Sequence, residues 1–188
     1  MKPVPGLTKQ GAAYTDCIER YGKSTEWMCF LDGDEFLIPP QSEGLDALLE
    51  RMSGERAFAI NWMTFGSSNL ENSEGRLVME AFVHRAEWNV NVNRHVKMFF
   101  KPQFATKVVN PHYIEVQQAA VDLRKEPVQW ASAGIVIPDR ILHLDWRIHH
   151  YIIRSREHWR RRVLRKQPGG QVREWETLRA YDRTALVV

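Results

Sequence analysis

The sequence predicts an α/β protein, and three observations carry that reading. A short continuous apolar run at 27–31 has the length of a strand buried on both faces, and 57–65 is a strongly apolar strand candidate rich in large side chains. Around them, apolar residues recur at helical spacing: Tyr14, Cys17, Ile18 and Tyr21, then Leu45, Leu48, Leu49 and Met52. A helix followed at once by a buried strand is half of the crossover unit from which α/β sheets are built. At 188 residues the chain reads as a single domain over 1–188, large enough for a real core.

Composition narrows the class. Hydrophobic content of 44% and aromatic content of 11% fit a folded globular chain rather than a disordered one. A net charge of +3, with both signs mixed along the chain, gives no global case for nucleic acid. Cys17 and Cys29 make neither a disulfide framework nor a zinc spacing and read as core thiols. No apolar run approaches the roughly 20 residues of a membrane span, and residues 1–10 lack the apolar core of a signal peptide. These features predict a cytoplasmic protein.

Taken in order, residues 1–11 are a loose lead-in and Gly22 stops the first helix. After the strand at 27–31 and the stop at Pro39-Pro40, Ser42 is placed to cap a helix through Met52. The strand at 57–65 runs into Gly66-Ser67-Ser68-Asn69, and 69–76 is a polar loop. Residues 77–84 fit helix or strand, and Asn89, Asn91 and Asn93 mark a loop or an edge strand. Residues 96–101 form a strand ended by Pro102. Asn110-Pro111-His112-Tyr113 is a turn, 117–133 is variable, and 134–138 and 141–144 are short strands. Ser155 caps a helix whose buried side carries Trp159 and Val163, and a last helix follows from Gln171 with Trp175 and Leu178.

The chemistry concentrates where the first strand breaks into Asp32-Gly33-Asp34-Glu35 before Phe36-Leu37-Ile38. Three carboxylates in four residues beside a core cost several kcal/mol unless a cation or donors compensate. Asp-x-Asp at a strand end therefore reads as a site for a divalent cation, with a solvated, inert acidic turn as the bland alternative. Lys97 either pairs with a phosphate in a cleft or snorkels at a sheet edge.

The longer string Trp-x-x-Phe-x-Asp-x-Asp-Glu-Phe-x-x-Pro, from Trp27 to Pro39, resembles the signature of bacterial glycosyltransferase-2-like and family 92 (DUF23-type) glycosyltransferases. Gln10, Ala13, Tyr14 and Cys17 ahead of it, Trp62-x-x-Phe65-Gly66-Ser67, the segment from Val96 to Pro102, and His150-Tyr151 with Ser155 are similar to further family segments.

The resemblance implies a GT-A-like mixed sheet flanked by helices and a metal-dependent transfer of sugar from a nucleotide-sugar donor. A UDP-sugar is the expected donor, and a hydroxyl of a glycan or lipid-linked molecule the expected acceptor. It implies metal ligation by Asp32, Asp34 and His150, with His112 in reserve, and catalytic roles for Asp32, Asp34 and Glu35. Trp62, Gly66, Ser67, Lys97 and Tyr151 would meet the substrate. Imidazole beside carboxylate suits Mn²⁺ over Mg²⁺. Asp145 and Glu115 are general-base candidates only through their neighbourhood to the histidines.

Such enzymes carry a further βαβ half ahead of the acidic motif. The 31 residues before Asp32 are too few for two crossover units of roughly 30 residues each. The expectation is thus an N-terminally truncated catalytic domain, with a sheet edge open to self-association as a homo-oligomer. Arg154, Arg156, Arg160, Arg161, Arg162, Arg165 and Lys166 crowd one late helix. They predict contact with a membrane surface or, in a rival reading, a module binding nucleic acid or anionic surfaces. A third reading is an inactive remnant of a transferase.

Overall fold

The computed structural model describes residues 9–73, 75–143 and 146–163. Helix α1 (Lys9–Tyr21) ends where expected, the Gly22 N–H donating to the Ile18 carbonyl at 2.9 Å. A Cβ at position 22 would stand 2.4 Å from that carbonyl oxygen and 2.9 Å from Pro102 Cβ, so only glycine fits. Strand β1 (Met28–Cys29) is shorter than the run 27–31 and half-buried. The correction has a simple cause: β1 lies at a sheet edge and pairs on one side only. Cys29 on it and Cys17 on α1 are free thiols and half-buried, not full core members.

Strand β2 (Glu35–Ile38) follows the acidic turn. Helix α2 (Leu45–Arg51) starts from extended Gly44 without a side-chain cap, so Ser42 is not its N-cap. Leu48 and Met52 are fully buried while Leu45 is exposed, so its apolar face is narrower than the spacing implied. Strand β3 (Ala57–Thr64) is buried along its whole length. Helix α3 (Val78–Ala81) is a single turn, and the asparagine-rich segment is a 3₁₀ turn (Asn91–Arg94) rather than a strand.

Strand β4 (Val96–Phe100) precedes a hairpin of β5 (Ala105–Asn110) and β6 (Tyr113–Val116). A second hairpin joins β7 (Trp130–Ser132) to β8 (Ile135–Val136), placing a strand inside the variable stretch. The strand expected at 141–144 is displaced to β9 (Arg147–His150); residues 141–143 are irregular and 144 lies outside the described residues. Helix α4 (Arg156–Val163) is capped as predicted, the His158 N–H donating to Ser155 Oγ at 3.2 Å. The final helix predicted from residue 171 lies outside the described residues.

The main sheet has the order β1-β4-β3-β9-β2, with β3 and β9 parallel and the other pairs antiparallel. β1 and β2 are opposite edges, yet only residues 30–34 connect them. Four strand spacings are about 19 Å, close to the limit of so short a link. The sheet therefore curls, and the link runs past the strands between its two edges. That link is the acidic turn.

Phe58 shows what holds the sheet together: it is fully buried, stacked on Phe99 at 4.8 Å and met edge-on by Trp27 at 5.2 Å. Phe58→Ala should cost about 3–5 kcal/mol, read as a lower urea midpoint at unchanged slope. A loss below about 1 kcal/mol would mean that this face of the sheet is not the core.

Candidate functional site

The acidic turn is held from below by a buried lysine. Lys97 points inward from β4, its side chain 1% exposed, with Nζ 2.9 Å from Asp32 Oδ2 and 3.1 Å from Glu35 Oε2. It also donates to the Pro111 carbonyl at 3.3 Å. Glu35 accepts the Asp32 N–H at 2.8 Å, and the Glu35 N–H donates to the Asp32 carbonyl at 2.9 Å. From α1, Gln10 donates to Asp32 Oδ1 at 2.8 Å, while Tyr14 stacks on Phe30 at 4.0 Å. Lys97 is thus neither at a sheet edge nor free for a ligand.

Burial pulls the Lys97 ammonium down, but Glu35 and Asp32 outweigh it and hold it above its ordinary value. Burial pushes the Glu35 carboxyl up to about 7 against the opposing pull of Lys97. Glu35 Oε1 is buried without a hydrogen-bond partner.

Asp34 faces the other way. Its backbone carbonyl accepts the Tyr151 N–H at 2.9 Å, tying the turn to the end of β9. Its Oδ1 stands 3.9 Å from His150 Nε2 and its Oδ2 is 3.2 Å from an Arg162 nitrogen on α4. His150 is brought there by register, paired with Glu35 across β2 and with Thr64 across β3. It is buried, its Nδ1 has no partner, and burial first, then Lys97, hold it well below the ordinary imidazole value. The nitrogen turned to Asp34 is Nε2, on the other side of the ring from that buried Nδ1, and a neutral imidazole is the form in which it could ligate a metal.

Behind it, Trp62 is ringed by imidazoles: His150 at 3.9 Å, His95 stacked at 4.7 Å and His112 edge-on at 4.8 Å. His95 Nδ1–H donates to the Val92 carbonyl at 2.9 Å and His112 Nδ1–H to the Val96 carbonyl at 3.1 Å. Both tautomers are fixed by these bonds. Gly134, at φ +84°, lets its loop lie against His112, whose Cβ would be 2.4 Å from any Cβ there.

The structure thus gathers Asp34 and His150 and turns Asp32 toward Lys97. Ligand atoms about 2.1 Å from one ion lie about 3 Å apart when adjacent and about 4.2 Å apart when opposite. The 3.9 Å between Asp34 and His150 falls in that span, so these two fit a divalent cation. Among the described residues no three His, Cys, Asp or Glu side chains converge as a metal site. The residues expected at the substrate, Trp62, Gly66, Ser67, Lys97 and Tyr151, are all buried. Tyr151 packs against Phe65 at 4.7 Å, and burial pushes its phenol up to about 12. Glu115 is exposed on β6, and Asp145 lies outside the described residues.

The arginines of the late segment are largely satisfied within the chain. Arg160 pairs with Glu71, Arg161 with Glu157 at 2.5 Å, and Arg162 with Asp34, while Arg154 donates to the Gly33 carbonyl at 3.3 Å. That pairing weakens the reading of the helix as a bare basic surface. Arg165 and Lys166 lie outside the described residues, and no described helix is long and apolar enough to cross a membrane. Arg162 and Arg154 were not legible as site residues, since no local pattern announces a contact 128 positions away.

Residues 6–161 match the model of glycosyltransferase family 92. A stretch of 60 residues is 35% identical to galactan beta-1,4-galactosyltransferase GALS3 of Arabidopsis thaliana, covering 32% of this chain and 12% of that protein. The chain therefore corresponds to a small part of that relative's length.

Two outcomes follow for solution experiments. Lys97→Met leaves the Glu35 carboxyl buried without its cation and should destabilise by about 3–5 kcal/mol. Adding Glu35→Gln should recover part of that loss in urea unfolding, whereas additive losses would contradict the pairing. The second concerns acid. His95, His112, His143, His149, His150 and His158 are all lowered chiefly by burial, His112 and His149 to about 4. Between about 6.5 and 4 the unfolded chain binds protons that the folded chain refuses, so stability must fall with pH there. Glu35, raised to about 7, opposes this as a single group. Thermal midpoints should drop from pH 7 to pH 5; an equal or higher midpoint at pH 5 would contradict the burial of these imidazoles.

Proposed function

The chain belongs to glycosyltransferase family 92, and on that premise we propose that it forms the donor-handling part of a metal-dependent glycosyltransferase. The reaction moves a sugar from a nucleotide-sugar, a UDP-sugar first among them, to a hydroxyl of a glycan or lipid-linked acceptor. The observation that carries this reading is the approach of Asp34 Oδ1 to a buried, half-unpartnered His150 at 3.9 Å. Asp34 and His150 would hold Mn²⁺ or Mg²⁺, with the softer imidazole favouring Mn²⁺. When bound, the ion would neutralise the charge that builds on the departing diphosphate.

The chain's own residues supply the rest. Lys97 pairs with Asp32 and Glu35 and fixes the turn that carries Asp34. Tyr151 and β9 hold the turn against the sheet through the Asp34 carbonyl. Trp62, clamped by three imidazoles, gives His150 a rigid backing. The Asp32 carboxylate, with Gln10 on one oxygen and Lys97 on the other, is a positioning group here, and ribose contact is its proposed role when donor is present. The name of the matched plant protein puts a galactosyl nucleotide at the head of a donor panel.

Calorimetric titration of Mn²⁺, then of UDP with Mn²⁺ present, into wild type and Asp34→Ala tests the reading. Metal-dependent UDP binding that is lost at least tenfold in Asp34→Ala is the expected result. Metal binding without UDP would favour an inactive transferase, and absence of both would remove the proposal.

A further inference from the structure

The charges around the acidic turn cancel. Asp32, Asp34 and Glu35 supply three carboxylates; Lys97 touches the first and third, and Arg162 touches Asp34 at 3.2 Å. Arg154 closes the set from the same side, donating to the Gly33 carbonyl at 3.3 Å. A lone divalent cation approaching Asp34 therefore meets a turn with no net negative charge and a guanidinium already on its ligand. An anionic ligand meets something different: two arginines whose forked donors match phosphate oxygens.

Two further observations concern Arg154 and His150, the groups beside the Arg162–Asp34 pair. The Arg154 backbone sits at φ +57°, a conformation that strains a residue with a side chain, and its Nε is buried without a partner. On the facing side, His150 is buried with Nδ1 unpartnered and Nε2 aimed at the same Asp34 carboxylate. Arg162 donates to the Ile152 carbonyl as well as to Asp34, so the start of the segment leading into α4 and the acidic turn share one guanidinium.

We infer that Arg162, with Arg154 beside it, is an exchangeable counter-ion: it covers Asp34 until a diphosphate arrives, then transfers to the phosphate oxygens and uncovers Asp34 for the cation. Metal and diphosphate thus bind as a pair, each removing the obstacle to the other. This rests on the donor reading given above. It adds to that reading two ligand-contacting residues and a binding order.

The test is calorimetry with Mn²⁺ alone and with inorganic pyrophosphate in the presence of Mn²⁺, on wild type, Arg162→Gln and Arg162→Lys, with circular dichroism to confirm folding. Arg162→Gln should bind Mn²⁺ alone about tenfold tighter and pyrophosphate about tenfold weaker, the scale of one charge-assisted hydrogen bond. Arg162→Lys should keep the wild-type Mn²⁺ affinity and lose several-fold in pyrophosphate, because the fork is gone. Shifts of equal sign for both ligands, or none, in a wild type that binds both would overturn the exchange and leave the donor reading standing. Wild type that binds no pyrophosphate would overturn both. Should Arg162→Gln fail to fold, unchanged pyrophosphate affinity in Arg162→Lys is enough to overturn the inference.

Discussion

One ammonium sets what the acidic turn can be. Lys97 Nζ is sealed inside the protein, within 3.1 Å of two carboxylates. An isolated buried charge of either sign would cost several kcal/mol, so lysine and turn are each tolerable only because the other is there. The consequence reaches past stability. Lys97 engages Asp32 and Glu35, which leaves Asp34 to face His150 and Arg162. The division of labour among three adjacent acids follows from where one cation points.

Topology completes the site. Because residues 30–34 link the two opposite edges of a curled sheet, the turn passes the end of β9 and meets His150 there. Segments distant in sequence converge without any loop of their own: Lys97 comes from β4, His150 from β9 and Arg162 from α4. The burial of Trp62 under His95, His112 and His150 adds a rigid wall on one side. Its three imidazoles are neutral at neutral pH, so none competes with a cation.

Much of the fold was legible in the sequence because its strongest signals are local. The apolar run of β3, the Gly22 stop and the Ser155 cap each follow from residues within a few positions. Signals that depend on neighbours failed. β1 looks like a buried strand in isolation and is cut to two residues by its edge position. Leu144 and its neighbours have the apolar character of a strand, yet pairing with β2 and β3 selects Arg147–His150. For the site, the acidic string stood out by type and spacing, and His150 through the resemblance of its segment to the family's. The inward turn of Lys97 and the reach of Arg162 to Asp34 did not, since burial and ion pairing across the fold leave no mark on local composition.

The central claim is that Lys97 holds Asp32 and Glu35 so that Asp34 and His150 are left to face a cation. A crystal structure of the protein with Mn²⁺ and UDP, with an anomalous map at the manganese edge, tests it directly. The account predicts one anomalous peak bonded to both Asp34 and His150, with Lys97 still bridging Asp32 and Glu35. A peak on Asp32 and Glu35 with Lys97 displaced, or no peak at this turn, would contradict it.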